Sequence, residues 1–468
     1  MSTNKRPNIL WFCTDQQRYD TIHALNNPHI HTPNLDRLIA EGVAFTRAYC
    51  QSPICTPSRA SFLTGCYPST VHGCMNGNEH WDEAAPLVSK LLKDVGYDCG
   101  LAGKFHLTGT ANRREPRPED DGYRVFHWSH DPEDRFPDHD YAQWIASQGY
   151  NLAELRKDTA SIPPELHQTT WCTDRAIDFL SEQRDGPWLM SVNVFDPHGP
   201  FDPPQPYLDR YDPAALPPPL FRHSDLAAQD QIPGDFQTPA RPPESFNAQQ
   251  IKAAYYAMIE LIDHNVGRLL TALEETGQRQ DTLIIFTSDH GETLGDHGLL
   301  LKGCRFYEGL VRVPLIISWP GHFEAGRISN ALVELTDLAP TLLDAASQPI
   351  PAHMQGRSLL PILRGDVSLD HHRDYVRCEY YNALNAHIAG RSDFEGSYAT
   401  MIRDDRHKLV VYHGHSTGEL YDLHRDPNEF DNCWSDPTYA DVRFRLLLQS
   451  FDALAFAVDT GPTQTRAF

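Results

Sequence analysis

The chain has 468 residues, 40% hydrophobic and 22% charged, with a formal net charge of −23. That length supports one large core with an appendage. The acidic balance argues against nonspecific nucleic-acid binding, which needs a basic surface, and no apolar run reaches the roughly 18 residues of a membrane span.

The first predicted element is a buried strand over residues 8–13 (NILWFC), a short apolar run ending in polar residues. Pro33 opens a helix that Gly42 stops. Residues 86–95 read as a helix closed by Gly96, and 97–103 as a strand. Helical periodicity covers 169–183, and 188–195 (WLMSVNVF) is again a buried strand. The proline-rich stretch 198–245 reads as a surface insertion rather than a linker. A long amphipathic helix spans 247–275, strands 281–288 and 313–318 follow, and 334–346 reads as helix. After about residue 366 the texture changes. Strands at 398–402 and 407–412 are joined by the turn Arg403-Asp404-Asp405-Arg406, with a helix over 441–454.

The alternation implies an α/β fold: a large, mostly parallel sheet sandwiched by helices over residues 1–366, and a small antiparallel-sheet subdomain over 367–468. Sites in such sheets lie beyond the carboxyl ends of the strands. Asp15, Lys104, His198 and Asp289 each follow a predicted strand, so four strand ends deliver polar groups to one edge.

The N-terminus carries no apolar segment before its first strand, which is the reading of a cytoplasmic protein. Ten cysteines form no CxxC pair, and most of them read as reduced, buried thiols. Cys55 stands apart because of its neighbours.

Cys55-Thr56-Pro57-Ser58-Arg59, followed by Ala60-Ser61-Phe62-Leu63-Thr64-Gly65, resembles the signature of the type I sulfatases of the alkaline phosphatase superfamily. Gly103-Lys104-Phe105-His106-Leu107 is similar to that family's Gly-Lys-Trp-His-Leu segment, and Pro197-His198-Gly199-Pro200 to its Pro-His-x-Pro segment. The resemblance runs from Asn8 to about Asn432. It implies that Cys55 is converted to formylglycine by a maturation enzyme reading the surrounding residues. It also implies a single divalent cation held by Asp15, Gln16, position 55, Asp289 and His290. Oxygen-rich ligands favour hard ions: Ca²⁺ first, with Mn²⁺ or Mg²⁺ as alternatives.

Many sulfatases carry a second aspartate where this chain has Gln16, a form similar to choline-sulfatase-like and phosphonate monoester hydrolase-like members. By the same resemblance Arg59 holds the nucleophile, Lys104 and Lys302 clamp sulfate oxygens, and His106 accepts a proton from position 55. His198 is the general acid, and Asn76, with Asn78 as its rival, reaches the substrate. His297, in Gly295-Asp296-His297-Gly298, is read as structural. The expected activity is sulfate-ester hydrolysis on a small-molecule or saccharide substrate. Phosphonate monoester or phosphodiester hydrolysis is the alternative, and a non-catalytic anion-binding protein is the reading if Cys55 is not matured. Homo-oligomerisation is left open.

Overall fold

The computed structural model describes residues 6–82, 84–110, 113–133, 138–384 and 396–458. Its main sheet has eight strands: β1 (Asn8–Thr14), β2 (Val43–Tyr49), β3 (Asp98–Gly103), β4 (Val125–Trp128), β5 (Trp188–Asn193), β6 (Thr282–Ser288), β7 (Arg312–Ser318) and β8 (Arg327–Glu334). Their order is β4-β3-β5-β1-β6-β7-β2-β8. All neighbours are parallel except β7, which runs antiparallel to both β6 and β2.

The central strands are uniformly apolar because both faces of the sheet are covered. Ile9 and Trp11 of β1 point to one core, with Phe62, Leu92 and Leu342 from helices Cys55–Thr64, Val88–Asp94 and Leu338–Ala345. Leu10 and Phe12 point to the other, with Phe179 and Ile262 from helices Gln168–Ser181 and Ala248–Glu275. Helix Pro33–Ala40 receives no cap from its own Thr32. Asp263 of the long helix caps it instead, accepting the Asn34 and Leu35 N–H groups at 3.0 and 2.7 Å.

A second, antiparallel sheet has the order β12-β11-β10-β9, from β9 (Val376–Tyr381), β10 (Tyr398–Arg403), β11 (His407–Tyr412) and β12 (Thr417–Asp422). Cys378, Tyr380, Met401 and Val410 join the first core. Ile402, Leu409 and Leu420 pack outward against Leu446 of helix Ala440–Phe456. Among the described residues no helix is long and apolar enough to cross a membrane.

The helix expected over 334–346 is corrected. Glu334 ends β8, a 3₁₀ turn follows over Leu335–Asp337, and the helix begins at Leu338. The cause is a reciprocal pair of caps, in which the side chains of Glu334 and Asp337 each accept the other's backbone N–H. Strands β2, β4, β8, β9 and β12 had no counterpart in the sequence reading.

Candidate active site

Asp15, Lys104, His198 and Asp289 come off the ends of β1, β3, β5 and β6, which are adjacent in the order β3-β5-β1-β6. Their polar groups therefore converge at one edge. Gly103 turns the chain at the end of β3 with φ 110°. A side chain there would strike the Asn193 carbonyl, so only glycine lets Lys104 leave β3 this closely packed on β5.

Helix Cys55–Thr64 is buried along its whole length and begins at Cys55. The Cys55 Sγ is 3.2 Å from His290 Nε2 and 3.6 Å from Asp15 Oδ1. One ligand atom from each of Asp15, Cys55, Asp289 and His290 lies within 4.8 Å of the other three, a buried cluster able to hold a metal ion. The His290 Nδ1–H is directed at the Gly291 carbonyl, 2.8 Å away, which leaves Nε2 as the free lone pair facing the cluster. Gln16 is fully buried, and its Oε1 has no hydrogen-bond partner. A buried carbonyl oxygen without a donor is costly unless a cation meets it, so the donor set fits a divalent ion.

Cations surround the cluster. Lys302 Nζ lies 2.8 Å from Cys55 Sγ and 3.1 Å from His290 Nε2. Lys104 Nζ lies 2.5 Å from Asp15 Oδ2. Arg59 donates from Nε to Asp289 Oδ2 at 2.9 Å and from Nη1 to the Lys104 carbonyl at 3.0 Å. Burial alone would raise the Asp15 carboxyl, but Lys104, His198 and Lys302 hold it well below the usual carboxylate range. Burial, then Asp15, pushes the Cys55 thiol up. Burial and the nearby lysines depress His106 and His198 and bring His290 down to about 4, so the three imidazoles are neutral at pH 7.

The cluster opens into a cavity of about 310 Å³ lined by Cys55, Asn76, Lys104, His106, His198 and Lys302, with His130, Asp131, Glu133 and Gln237 also on its wall. Asn76 Oδ1 accepts the Thr56 N–H at 3.3 Å. Asn78 pairs instead with Thr108 and does not line the cavity. His297 lies outside it, stacked on Tyr307 with ring centres 4.0 Å apart. The 198–245 excursion returns to the site, where Gln237 N–H donates to the Lys302 carbonyl at 3.1 Å.

Two buried carboxylates at the site were not singled out in the sequence. Glu292 lies two residues past His290, in a motif whose acidic end could have been noticed. Glu115 follows two arginines and precedes a proline, with no periodic pattern to mark it. It accepts the N–H groups of His106, Leu107 and Thr108 at 2.8, 2.6 and 3.1 Å.

The sulfatase family profile matches residues 7–348. The chain belongs to the sulfatase family. A second profile, that of the C-terminal region of N-sulphoglucosamine sulphohydrolase, matches residues 295–453. This sulfatase is 31% identical to an arylsulfatase of Clostridium perfringens, over 93% of its own length and 91% of the relative's. It is 32% identical to a multifunctional alkaline phosphatase superfamily protein of Trinickia caryophylli, over 93% and 92% of the two chains. The phosphonate monoester hydrolase of Agrobacterium radiobacter superimposes with a TM-score of 0.83 at 29% identity, over 98% of this chain and 100% of that one. The sulfatase is accordingly a hydrolase of the alkaline phosphatase superfamily, acting on sulfate esters.

Proposed function

We propose that the sulfate ester is cleaved at position 55 after Cys55 is oxidised to formylglycine, beside a divalent cation held by Asp15, Gln16, Asp289 and His290. The observation that carries this reading is the Cys55 sulfur, buried within reach of two proposed ligand side chains, Asp15 and His290, and of the Lys302 ammonium. When present, the ion and the hydrated aldehyde supply an oxygen nucleophile at neutral pH. Ca²⁺ is favoured by the oxygen donors, with Mn²⁺ or Mg²⁺ accepted by the same set.

The chain's own residues supply the rest. Lys104 and Lys302 neutralise the charge spread over the sulfate oxygens, in a site where water does not screen them. They also reconcile an anionic substrate with an acidic exterior, because charges focused in one cleft outweigh distant ones. Arg59 fixes Asp289 and the Lys104 backbone, and so ties the ligand set to the clamp. His106, neutral and with its buried Nδ1 unpartnered, accepts a proton from position 55. His198 donates one to the leaving-group oxygen. Its Nδ1 faces the Gly199 carbonyl at 2.6 Å, which leaves Nε2 for the substrate. Asn76 lines the wall where the ester group enters.

A second reading, phosphonate monoester or phosphodiester hydrolysis, is supported by the likeness to the Agrobacterium enzyme. Sulfuryl and phosphoryl groups share tetrahedral geometry, and the same cations would clamp either. The test is a panel of sulfate esters, phosphodiesters and phosphonates, together with peptide mass spectrometry over residues 54–59. Formylglycine makes that peptide about 18 Da lighter than cysteine. Turnover of 4-nitrophenyl sulfate that disappears in Cys55→Ala and on chelation is the expected result. Fast phosphonate cleavage with inert sulfates selects the second reading. An unmodified peptide without turnover selects a binding protein.

A further inference from the structure

Glu292 is fully buried, takes no part in the chemistry above, and touches the one neutral side chain of the proposed ligand set that carries an amide. The Gln16 Nε2 amide donates to Glu292 Oε2, while Gln16 Oε1 is buried without a partner. The rest of Gln16 is fixed independently. Its φ is 70°, its N–H donates to Asp289 Oδ1 at 2.9 Å, and its carbonyl accepts the Tyr255 hydroxyl at 2.6 Å. The backbone therefore places the carboxamide but does not decide which of its two ends faces inward.

We infer that Glu292 makes that decision: its carboxylate accepts hydrogen bonds but donates none, so it binds the NH₂ end of Gln16 and turns the oxygen toward the ion. This rests on reading Gln16 as a ligand. An amide turned the other way would present two N–H groups to a cation. Glu292 is thus a positioning residue, acting through Gln16. Its second oxygen is engaged elsewhere, by the Leu294 N–H at 3.0 Å and by the Leu301 N–H. That anchor makes Glu292→Gln informative. The substituted carboxamide can keep both backbone donors on its oxygen, which leaves its own NH₂ group facing Gln16. Two amide donors then oppose each other, and Gln16 relieves the clash by turning over.

The experiment measures Mn²⁺ and Ca²⁺ affinity by calorimetry on the full chain and three variants: Glu292→Gln, Gln16→Glu and the double variant, with circular dichroism as the fold check. Glu292→Gln is expected to weaken ion binding about 10- to 100-fold. In the Gln16→Glu background the sign reverses. A carboxylate at position 16 faces a like charge from Glu292, but an amide donor once position 292 is also substituted. The double variant therefore binds more tightly than Gln16→Glu alone. A role confined to pinning the 293–301 loop gives a loss in both backgrounds and overturns the inference. Equal affinity of wild type and Glu292→Gln overturns it too, while leaving the metal reading intact. A wild-type chain that binds neither ion overturns the metal reading, and this inference with it. If Glu292→Gln alone does not fold, the comparison within the Gln16→Glu background decides.

Discussion

Arg59 and Asp289 form an ion pair at 2.9 Å with neither side chain more than 1% exposed. It lies at the junction of the helix carrying Cys55 and the strand end carrying Asp289 and His290. Because water reaches neither partner, the guanidinium and the carboxylate depend on one another. Arg59→Met is expected to lower the stability of the ion-free protein by about 3–5 kcal/mol, the usual cost of leaving one member of a buried pair alone. Urea denaturation measures it. A loss under about 1 kcal/mol, the range of exposed pairs, would show that the Asp289 charge is met by other groups.

Much of the site was legible because its residues follow buried strands. Runs such as NILWFC and TLIIFTS are apolar for most of their length and stop abruptly near Asp15 and Asp289, so the transition marks the sheet edge. Strands without that contrast were lost. In β2 the run is broken by Thr46 and Arg47, and its pairing with β7 and β8 shifts register there. In β8 three of the first four residues are exposed, so it lacks a continuous apolar signal. Glu292 and Glu115 were lost for another reason. They act by accepting N–H groups from irregular turns within nine residues and, for Glu292, from the remote Gln16 amide, and a single acidic residue carries no periodic mark of such a partnership.

The neutrality of His290 bears on ion binding. Burial first, then Lys302, lowers its pKa to about 4, against an ordinary value of about 6.5. The folded pKa lies below the unfolded one, so stability associated with this group is lost as pH falls from about 6.5 through about 4. The ring needs no deprotonation to bind an ion at pH 5.5–7.5. Calorimetry on Cys55→Ala, which has no thiol to titrate, should show nearly constant Mn²⁺ affinity over that range. A loss of about tenfold by pH 5.5 would mark an imidazole titrating near its ordinary value.

Glu115 ties the His106–Thr108 segment in place. His106 sits at φ 56°, a conformation unfavourable for most residues, while its N–H and the next two are gathered by one carboxylate. Glu115→Gln sets an amide NH₂ against backbone donors. A stability loss of about 1–3 kcal/mol follows from the unsatisfied N–H groups. Turnover of 4-nitrophenyl sulfate should fall with KM little changed, since His106 rather than the sulfate clamp is displaced. Unaltered kcat alongside the stability loss would separate the turn from the chemistry.

His198 gives the clearest dependence on the leaving group. Burial, then the Lys302 charge, holds its pKa well below 6.5 in the free enzyme, so only a small fraction is protonated at pH 7. A general acid must carry its proton when the substrate arrives. Hence kcat/KM, which reports the free enzyme, should rise as pH falls from 8 to 6. A bound sulfate brings negative charge beside the ring and raises the pKa, so kcat should vary less over the same range. The requirement is greatest for alkyl sulfates, whose leaving alkoxide is strongly basic, and slight for 4-nitrophenyl sulfate. His198→Ala is therefore expected to slow alkyl substrates by about 10²–10⁴-fold, to slow the nitrophenyl ester far less, and to flatten the alkyl pH profile. Steady-state rates with the two ester classes between pH 6 and 8 test this. Equal losses on both would assign His198 to binding rather than proton donation.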